Sequence, residues 1–494
     1  MIAFQPDLRP ALPNVYAASD YCEFRDQLTQ IDRLLRVSGT ENALVESAVL
    51  RWMSEAGRTE VMITSGMLQR ERQMLHYALR CNVARHLMGE GFRPFSVRLA
   101  DSTLLQWFTG ISAFEHRKAA SKSSLERYDK CFDPCEIEEA IRSMIRQVID
   151  EQSVAAVLGR EEAVSIEEIF ADCTCVKAHI HFPVDWVLLR DSARTLVAAI
   201  KLIRAEGLKH RMPEPASLVK RMNRLCIEMT HARRRPDSKK VRKRVLRSMK
   251  RLSRTIESHA QRYRVLLAEN RERTEWTEAE AALVLSRLDN VLTKLPHAIH
   301  QAHERIIGER RLDNSEKLLS LYDDDIHVLV RGKSGSEVEF GNGLYLAEQR
   351  DGLIVDWTLF KDRPPADTAL VGKSVTRIKE AYGSIDVFCA DRGFDSKANV
   401  NTLTSENVFN AICPRNPTLM AERATEPRFM QYQNRRAQTE ARIAIFKNAY
   451  LGRPLRSKGF ASKENTMLWC VLTHNLWVLA RMVLADEKEQ AAAA

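Results

Sequence analysis

From Glu168 the chain runs Glu-Ile-Phe-Ala-Asp-Cys-Thr-Cys-Val, a short run of strand formers between two long helical regions, and Pro183 closes it soon after. This isolated strand constrains the fold most, because a lone strand is not stable and the next strand texture begins only at Ile326. Before it, from about residue 19 to 149, apolar residues such as Leu28, Ile31, Leu34 and Leu35 recur at helical spacing. After it, helical periodicity returns over 192–321, broken near Pro213, Pro215 and Pro236, with a capping-box spacing at Thr277 and Glu280. Residues 326–330, 338–347 and 353–360 are predicted to form three antiparallel strands, with Gly332, Gly335 and Asp351-Gly352 at the turns. Beyond Asp367 the pattern is helix, strand (385–389), helix (396–406), strand (408–412), loop, and a helix from about residue 434. This order predicts an α/β core, a mixed sheet flanked by helices, with an all-α N-terminal domain and an all-α insertion. The expected divisions are 1–160, a first part of the core at 165–192, the insertion at 193–324 and the remaining core at 325–486. The segment 59–88 has room for a helix-turn-helix but carries no turn signature sharp enough to name a recognition helix.

Lys and Arg number 75 against 65 Asp and Glu, a net charge of +10 with a pI near 9.1, which points modestly toward a polyanionic partner. The ten cysteines are scattered and no signal-peptide pattern opens the chain, so free thiols in a reducing cytosol are expected. Cys131 and Cys135 lack a second pair at zinc-finger spacing, and Cys173 and Cys175 read as neighbours on one strand face. The apolar stretch 467–485 contains His474, Asn475 and Arg481, groups costly in lipid, and is expected to be a buried helix with no membrane partner.

Three acids stand out. Asp172 sits in the middle of the isolated apolar strand, where a carboxylate is expensive unless a cation meets it; alone, it reads equally as an exposed acid on an edge strand. Asp391 follows the strand ending at Cys389, and in open α/β sheets ligands gather at the carboxyl ends of strands, although a loop role fits as well. Asp395-Ser396, before the next helix, reads as an N-cap. Glu440 lies four residues after Arg436 and seven before Lys447, so all three project from one helical face; the plain reading is a surface ion pair. Phosphoryl transfer on DNA would give the three acids one purpose. Two divalent ions about 3.5–4 Å apart activate the attacking oxygen and stabilise the leaving one, and hard cations prefer carboxylate ligands. Arg436 and Lys447 would then contact the DNA backbone.

At these residues the chain resembles bacterial insertion-sequence transposases with an RNase H-like catalytic core. Their last acid lies in a helix reading Tyr, two residues, Arg, three residues, Glu, six residues, Lys. Here Arg436, Glu440 and Lys447 keep that spacing, while Gln433 takes the tyrosine slot beside Tyr432. Asp172-Cys173-Thr174, His179-Ile180-His181-Phe182-Pro183-Val184-Asp185, Val338-Glu339-Phe340-Gly341-Asn342 and Ala390-Asp391-Arg392-Gly393-Phe394 are similar to the same family, in the same order. The resemblance spans about 168–191 and 326–484. It implies a DDE transposase whose Asp172, Asp391 and Glu440 are catalytic and hold Mg²⁺ or Mn²⁺, two ions per site. It also implies double-stranded DNA as partner, both transposon ends and target, and a homodimer on that DNA. A helical insertion between the first two acids is unusual for the family.

The stretch 231–251 holds eleven Lys or Arg against one acid, Asp237. Arg233, Arg234, Arg235, Lys239, Lys240, Arg242, Lys243 and Arg244 are its densest part and are expected to bind phosphates; a solvated helix face is the plain alternative. His179 and His181 read as surface residues rather than ligands, because imidazole suits zinc better than magnesium. Two other readings stay open: a nuclease on the same core that cuts without joining, and a non-catalytic DNA-binding protein derived from a transposase. A helical scaffold leaves the ordered motifs unexplained.

Overall fold

The computed structural model describes residues 11–13, 15, 17–55, 63–111, 118–232, 234–333, 336–452 and 454–493. Eight helices come first: α1 (Ser19–Val37), α2 (Thr40–Glu55), α3 (Ser65–Leu87) and α4 (Phe92–Asp101), then α5 (Thr103–Thr109), α6 (Lys122–Tyr128), α7 (Pro134–Ile149) and α8 (Val154–Leu158). Residues 59–62 and Gly335 lie outside the described residues, and the rest of 59–88 is taken by one unbroken helix, α3, which leaves no helix-turn-helix within it. Strand β1 (Glu168–Lys177) follows, then α9 (Asp185–Ala205), α10 (Pro215–Ala232), α11 (Ser238–Glu269) and α12 (Glu278–Ile306). The three expected strands are β2 (His327–Lys333), β3 (Ser336–Gln349) and β4 (Ile354–Leu359). The chain ends with α13 (Val371–Tyr382), β5 (Val387–Ala390), α14 (Lys397–Ser405), β6 (Phe409–Ile412), α15 (Pro417–Arg423), α16 (Pro427–Ile445) and α17 (Phe460–Ala493).

The architecture is a mixed sheet flanked by helices, with all-α regions before it and after its first strand. Strand order is β2-β3-β1-β5-β6, with β4 also on β3. β2, β3 and β4 pair antiparallel, and Gly352, at φ 103°, makes the tight turn into β4. β1, β5 and β6 pair parallel. Every residue of β5 is buried and β6 ends buried, as expected for parallel strands covered on both faces. Contacts divide the chain into two compact units, 1–177 with 342–494, and 178–341.

In the first unit, α17 is the central helix. It is apolar enough to cross a bilayer by length and composition, and 78% of its most apolar window is buried inside the protein. The polar residues expected to argue against a membrane span are pins to the sheet. Asn475 accepts from the Ile354 N–H and donates to the Ile354 carbonyl, both at 2.9 Å, which satisfies backbone groups of β4. His474 Nε2 meets the Gly352 carbonyl at 2.9 Å, and burial pulls its pKa down to about 4, so it is neutral at pH 7. Helices α1, α3 and α7 pack on α17.

Two of those helices, α1 and α3, are joined with α2 by a buried cation. Arg80 of α3 donates to Asp32 of α1 (2.5 Å), both oxygens of Glu41 of α2 (2.6 Å each) and the Phe108 carbonyl (2.9 Å). Burial raises the Glu41 pKa, but the Arg80 charge and hydrogen bonds from His76 and Arg80 outweigh it and hold the carboxyl at about 2. A depressed carboxyl stabilises the fold above its ordinary range and ceases to do so as pH falls toward 2. This linkage is about 3 kcal/mol. Urea unfolding of wild type and Glu41→Gln from neutral to acid pH should show the variant weaker at pH 6, with the gap closing toward pH 2; parallel curves would show that Glu41 is not held by Arg80.

Candidate active site

The register of β1 on β5 brings two of the three acids together. Ala171 pairs with Ala390, so Asp172 and Asp391 are the next residues on adjacent parallel strands, about 4.8 Å apart across the sheet. Side chains alternate along a strand, so Phe170 and Asp172 share one side, as do Cys389 and Asp391. Phe170 and Cys389 both lie in the small core against Tyr432 of α16, which puts the two aspartates on the α16 side. Asp391 keeps extended geometry (φ −76°, ψ 175°), and its Oδ1 accepts from Gly393 N at 2.7 Å, so it also caps the turn that follows.

Gly393 in this motif has a steric reason. A Cβ there would lie 2.8 Å from Asp391 Oδ1 and 2.9 Å from Asp367 Oδ2. Asp367 was not singled out in the sequence, since a lone acid after Pro364-Pro365 carries no signal. It hydrogen-bonds the Cys173 thiol, and burial first, then Asp367, Asp172 and Asp391, push that thiol's pKa far up. Cys173 is therefore a neutral thiol among three carboxylates. Asp395 does not cap α14. Ser396 does, accepting from Asn399 N at 3.1 Å, while Asp395 accepts from Arg415 N at 2.8 Å.

Helix α16 carries the third acid across the same side of the sheet. Pro427 stands in its first turn, where a missing N–H costs nothing, so it begins seven residues before the expected start at 434. Gln433, in the slot where the family resemblance expects Tyr, donates to the carbonyls of Ala411 (2.6 Å) and Ala390 (3.4 Å) at the ends of β6 and β5. Arg436 donates to Glu440 at 2.7 Å, and Glu440 is 57% exposed. Burial lowers the Arg436 pKa, but its bond and charge pairing with Glu440, with Asp172 nearby, raise it overall. Lys447 donates to Thr174 Oγ1 at 2.8 Å, two residues beyond Asp172 on the same side of β1. It lies in a π-helical turn, Phe446–Leu451, a winding frequent at functional sites.

The neighbouring side of α16, about a quarter-turn from Arg436 and Glu440, is clamped. Glu348 of β3, only 5% exposed, accepts from Thr439 Oγ1 (2.8 Å), Arg435 (3.3 Å) and Arg442 (3.3 Å). Arg435 and Arg442 also reach the Arg350 carbonyl. Thr439 precedes Glu440, so this clamp fixes the helical rotation that sends Glu440 toward the aspartates' side.

Among the described residues, no group of three or more His, Cys, Asp or Glu converges tightly enough to hold a metal ion. Asp172 and Asp391 stand side by side, while Glu440 is turned to Arg436. The donor chemistry, hard carboxylate oxygens of like charge, suits Mg²⁺ or Mn²⁺. None of the ten cysteines forms a disulfide, and His179 and His181 are exposed.

The basic stretch belongs to the second unit, a four-helix core of α9 to α12 tied at its start by Asp185, which accepts from Gln301 and Arg305 at 2.9 Å each. Arg233 lies outside the described residues. Arg234 and Arg235 are in the turn before α11, Arg235 on Asp237 at 3.0 Å. Lys239 and Lys243 share Glu309 (3.1 and 2.7 Å), Arg244 pairs with Glu228 (2.9 Å), Arg242 lies over the Trp186 ring, and Lys240 is exposed.

No family model, curated protein or solved structure matches this chain.

Removing Glu348 would leave the half-buried Arg435 and Arg442 without their anion. Glu348→Ala should cost about 3–5 kcal/mol in urea unfolding, with Glu348→Gln losing less because it still accepts from Thr439. A loss below about 1 kcal/mol for the alanine variant would show that the clamp does not hold α16.

Proposed function

We propose that this chain is a DDE-type DNA transposase with an RNase H-like core, acting in the cytoplasm on double-stranded DNA. The reading is supported above all by Asp172 and Asp391 in register at neighbouring parallel strands, under a helix whose Glu440 projects on the same side. Asp172 and Asp391 would hold Mg²⁺ or Mn²⁺, joined by Glu440 once Arg436 turns to a phosphate. Bound divalent ions, two per site, would supply activation of the attacking oxygen and charge stabilisation at the leaving one.

The chain's own residues bind and orient. Arg436 and Lys447 bracket Asp172 and would grip non-bridging phosphate oxygens, which fixes the scissile bond relative to the acids. In the first step water oxygen bonds to phosphorus, the phosphorus–O3′ bond at the transposon end breaks, and the freed O3′ takes a proton. In the second, that 3′-hydroxyl attacks a target phosphate in line, loses its proton and displaces the target's own O3′. No protein–DNA bond is formed, and two copies of the chain would hold the paired ends.

The test uses a labelled duplex carrying the element's own end, a target duplex, and Mg²⁺ or Mn²⁺. The intact chain should cut and join, while Asp172→Asn, Asp391→Asn and Glu440→Gln should lose both steps by at least about 10³-fold with DNA binding kept. Cutting without joining would assign a nuclease instead, and binding alone would leave a DNA-binding protein without chemistry. Activity surviving in one variant removes that residue from the site.

A further inference from the structure

Sequence density draws attention to 233–244, but the fold selects a different set of cations. α11 buries Val241, Val245, Met249, Leu252 and Ile256 on its inner side. Lys240, Arg244, Arg247, Arg251 and Arg254, at steps of four, three, four and three residues, are all exposed. That spacing keeps them on one straight stripe about 21 Å long. α11 has no acid before Glu257.

The edges of this stripe are neutralised within the unit. Lys239 and Lys243 are held by Glu309, and Arg244 by Glu228. Among the described residues, Lys240, Arg247, Arg251 and Arg254 have no ion-pair partner. Like charges three and four apart on a helix repel, so the centre of the stripe weakens α11 unless an anion lies along it.

We propose that this stripe is a rail for the sugar-phosphate backbone of duplex DNA, centred on Arg247, Arg251 and Arg254, one to three turns beyond the densest basic run. Over about 21 Å of duplex axis one strand presents about six phosphates, against which the stripe sets Lys240, Arg247, Arg251 and Arg254, the four of its five cations that no acid engages among the described residues. A membrane surface fits less well: the apolar side of α11 is used in the unit's own core, which leaves none to enter lipid. The identity of the polyanion rests on the DNA reading above, but the rail itself does not depend on catalysis.

The full chain is titrated into a labelled duplex of arbitrary sequence, in EDTA, over a range of NaCl. Substituting Arg247→Gln, Arg251→Gln and Arg254→Gln together should reduce the slope of log affinity against log salt by about 2 to 3 and weaken binding more than about tenfold. Lys239→Gln with Lys243→Gln should change the slope by less than about 1, because Glu309 already engages both cations. The rail is overturned by a wild-type slope in the triple variant, or by equal losses in both variants. It is also overturned if anionic phosphatidylserine vesicles displace the duplex at equal charge. Normal rail behaviour in a chain that neither cuts nor joins would sustain the rail and defeat the transposase reading.

Discussion

Two carboxylates side by side on adjacent strands repel each other, by about 3 kcal/mol at 5 Å if both are charged in a protein-like dielectric. The pairing of Ala171 with Ala390 imposes that proximity on Asp172 and Asp391, so the surrounding structure must supply positive charge. It does so from α16 and the π-helical turn that continues it. Arg436 lies near Asp172, and Lys447 reaches Thr174 on the same side of β1.

α16 can play this part because it is fixed on two sides. Gln433 ties it to the carbonyl ends of β5 and β6, and Glu348 holds Arg435, Thr439 and Arg442 on its adjacent side. Glu348 stands on β3, which pairs with β4, and Asn475 of α17 pins β4 in turn. α17 is packed by α1 and α3, whose Arg80 gathers Asp32 and Glu41. The N-terminal helices thus contribute to the site by holding α17, and through it the strands on which Glu348 stands.

Much of this architecture was legible in the sequence because it depends on local signals. The three strands at 326–360 showed apolar runs bounded by Gly, the Thr277–Glu280 capping box opens α12, and Pro215 and Pro236 fall at helix boundaries. Pro427 starts α16, and an aromatic-rich first turn hid its periodicity until 434. Asp172 and Asp391 were found because an acid in or after an apolar strand is conspicuous. Glu348, Asp367 and Arg80 were not: each matters through partners brought in by tertiary packing, and nothing beside them in the sequence names those partners. Likewise the densest cations on α11 were visible, but which of them are already paired within the unit depended on Glu309 and Glu228.

The central claim, that Asp172 and Asp391 share a divalent cation, is tested most directly by Mn²⁺ titration of the intact chain followed by electron paramagnetic resonance, in parallel with Asp172→Asn and Asp391→Asn. Mn²⁺ should bind the wild-type chain, with affinity falling at least about tenfold in each variant. Mn²⁺ binding that is unchanged in both variants would place the ion elsewhere and contradict it.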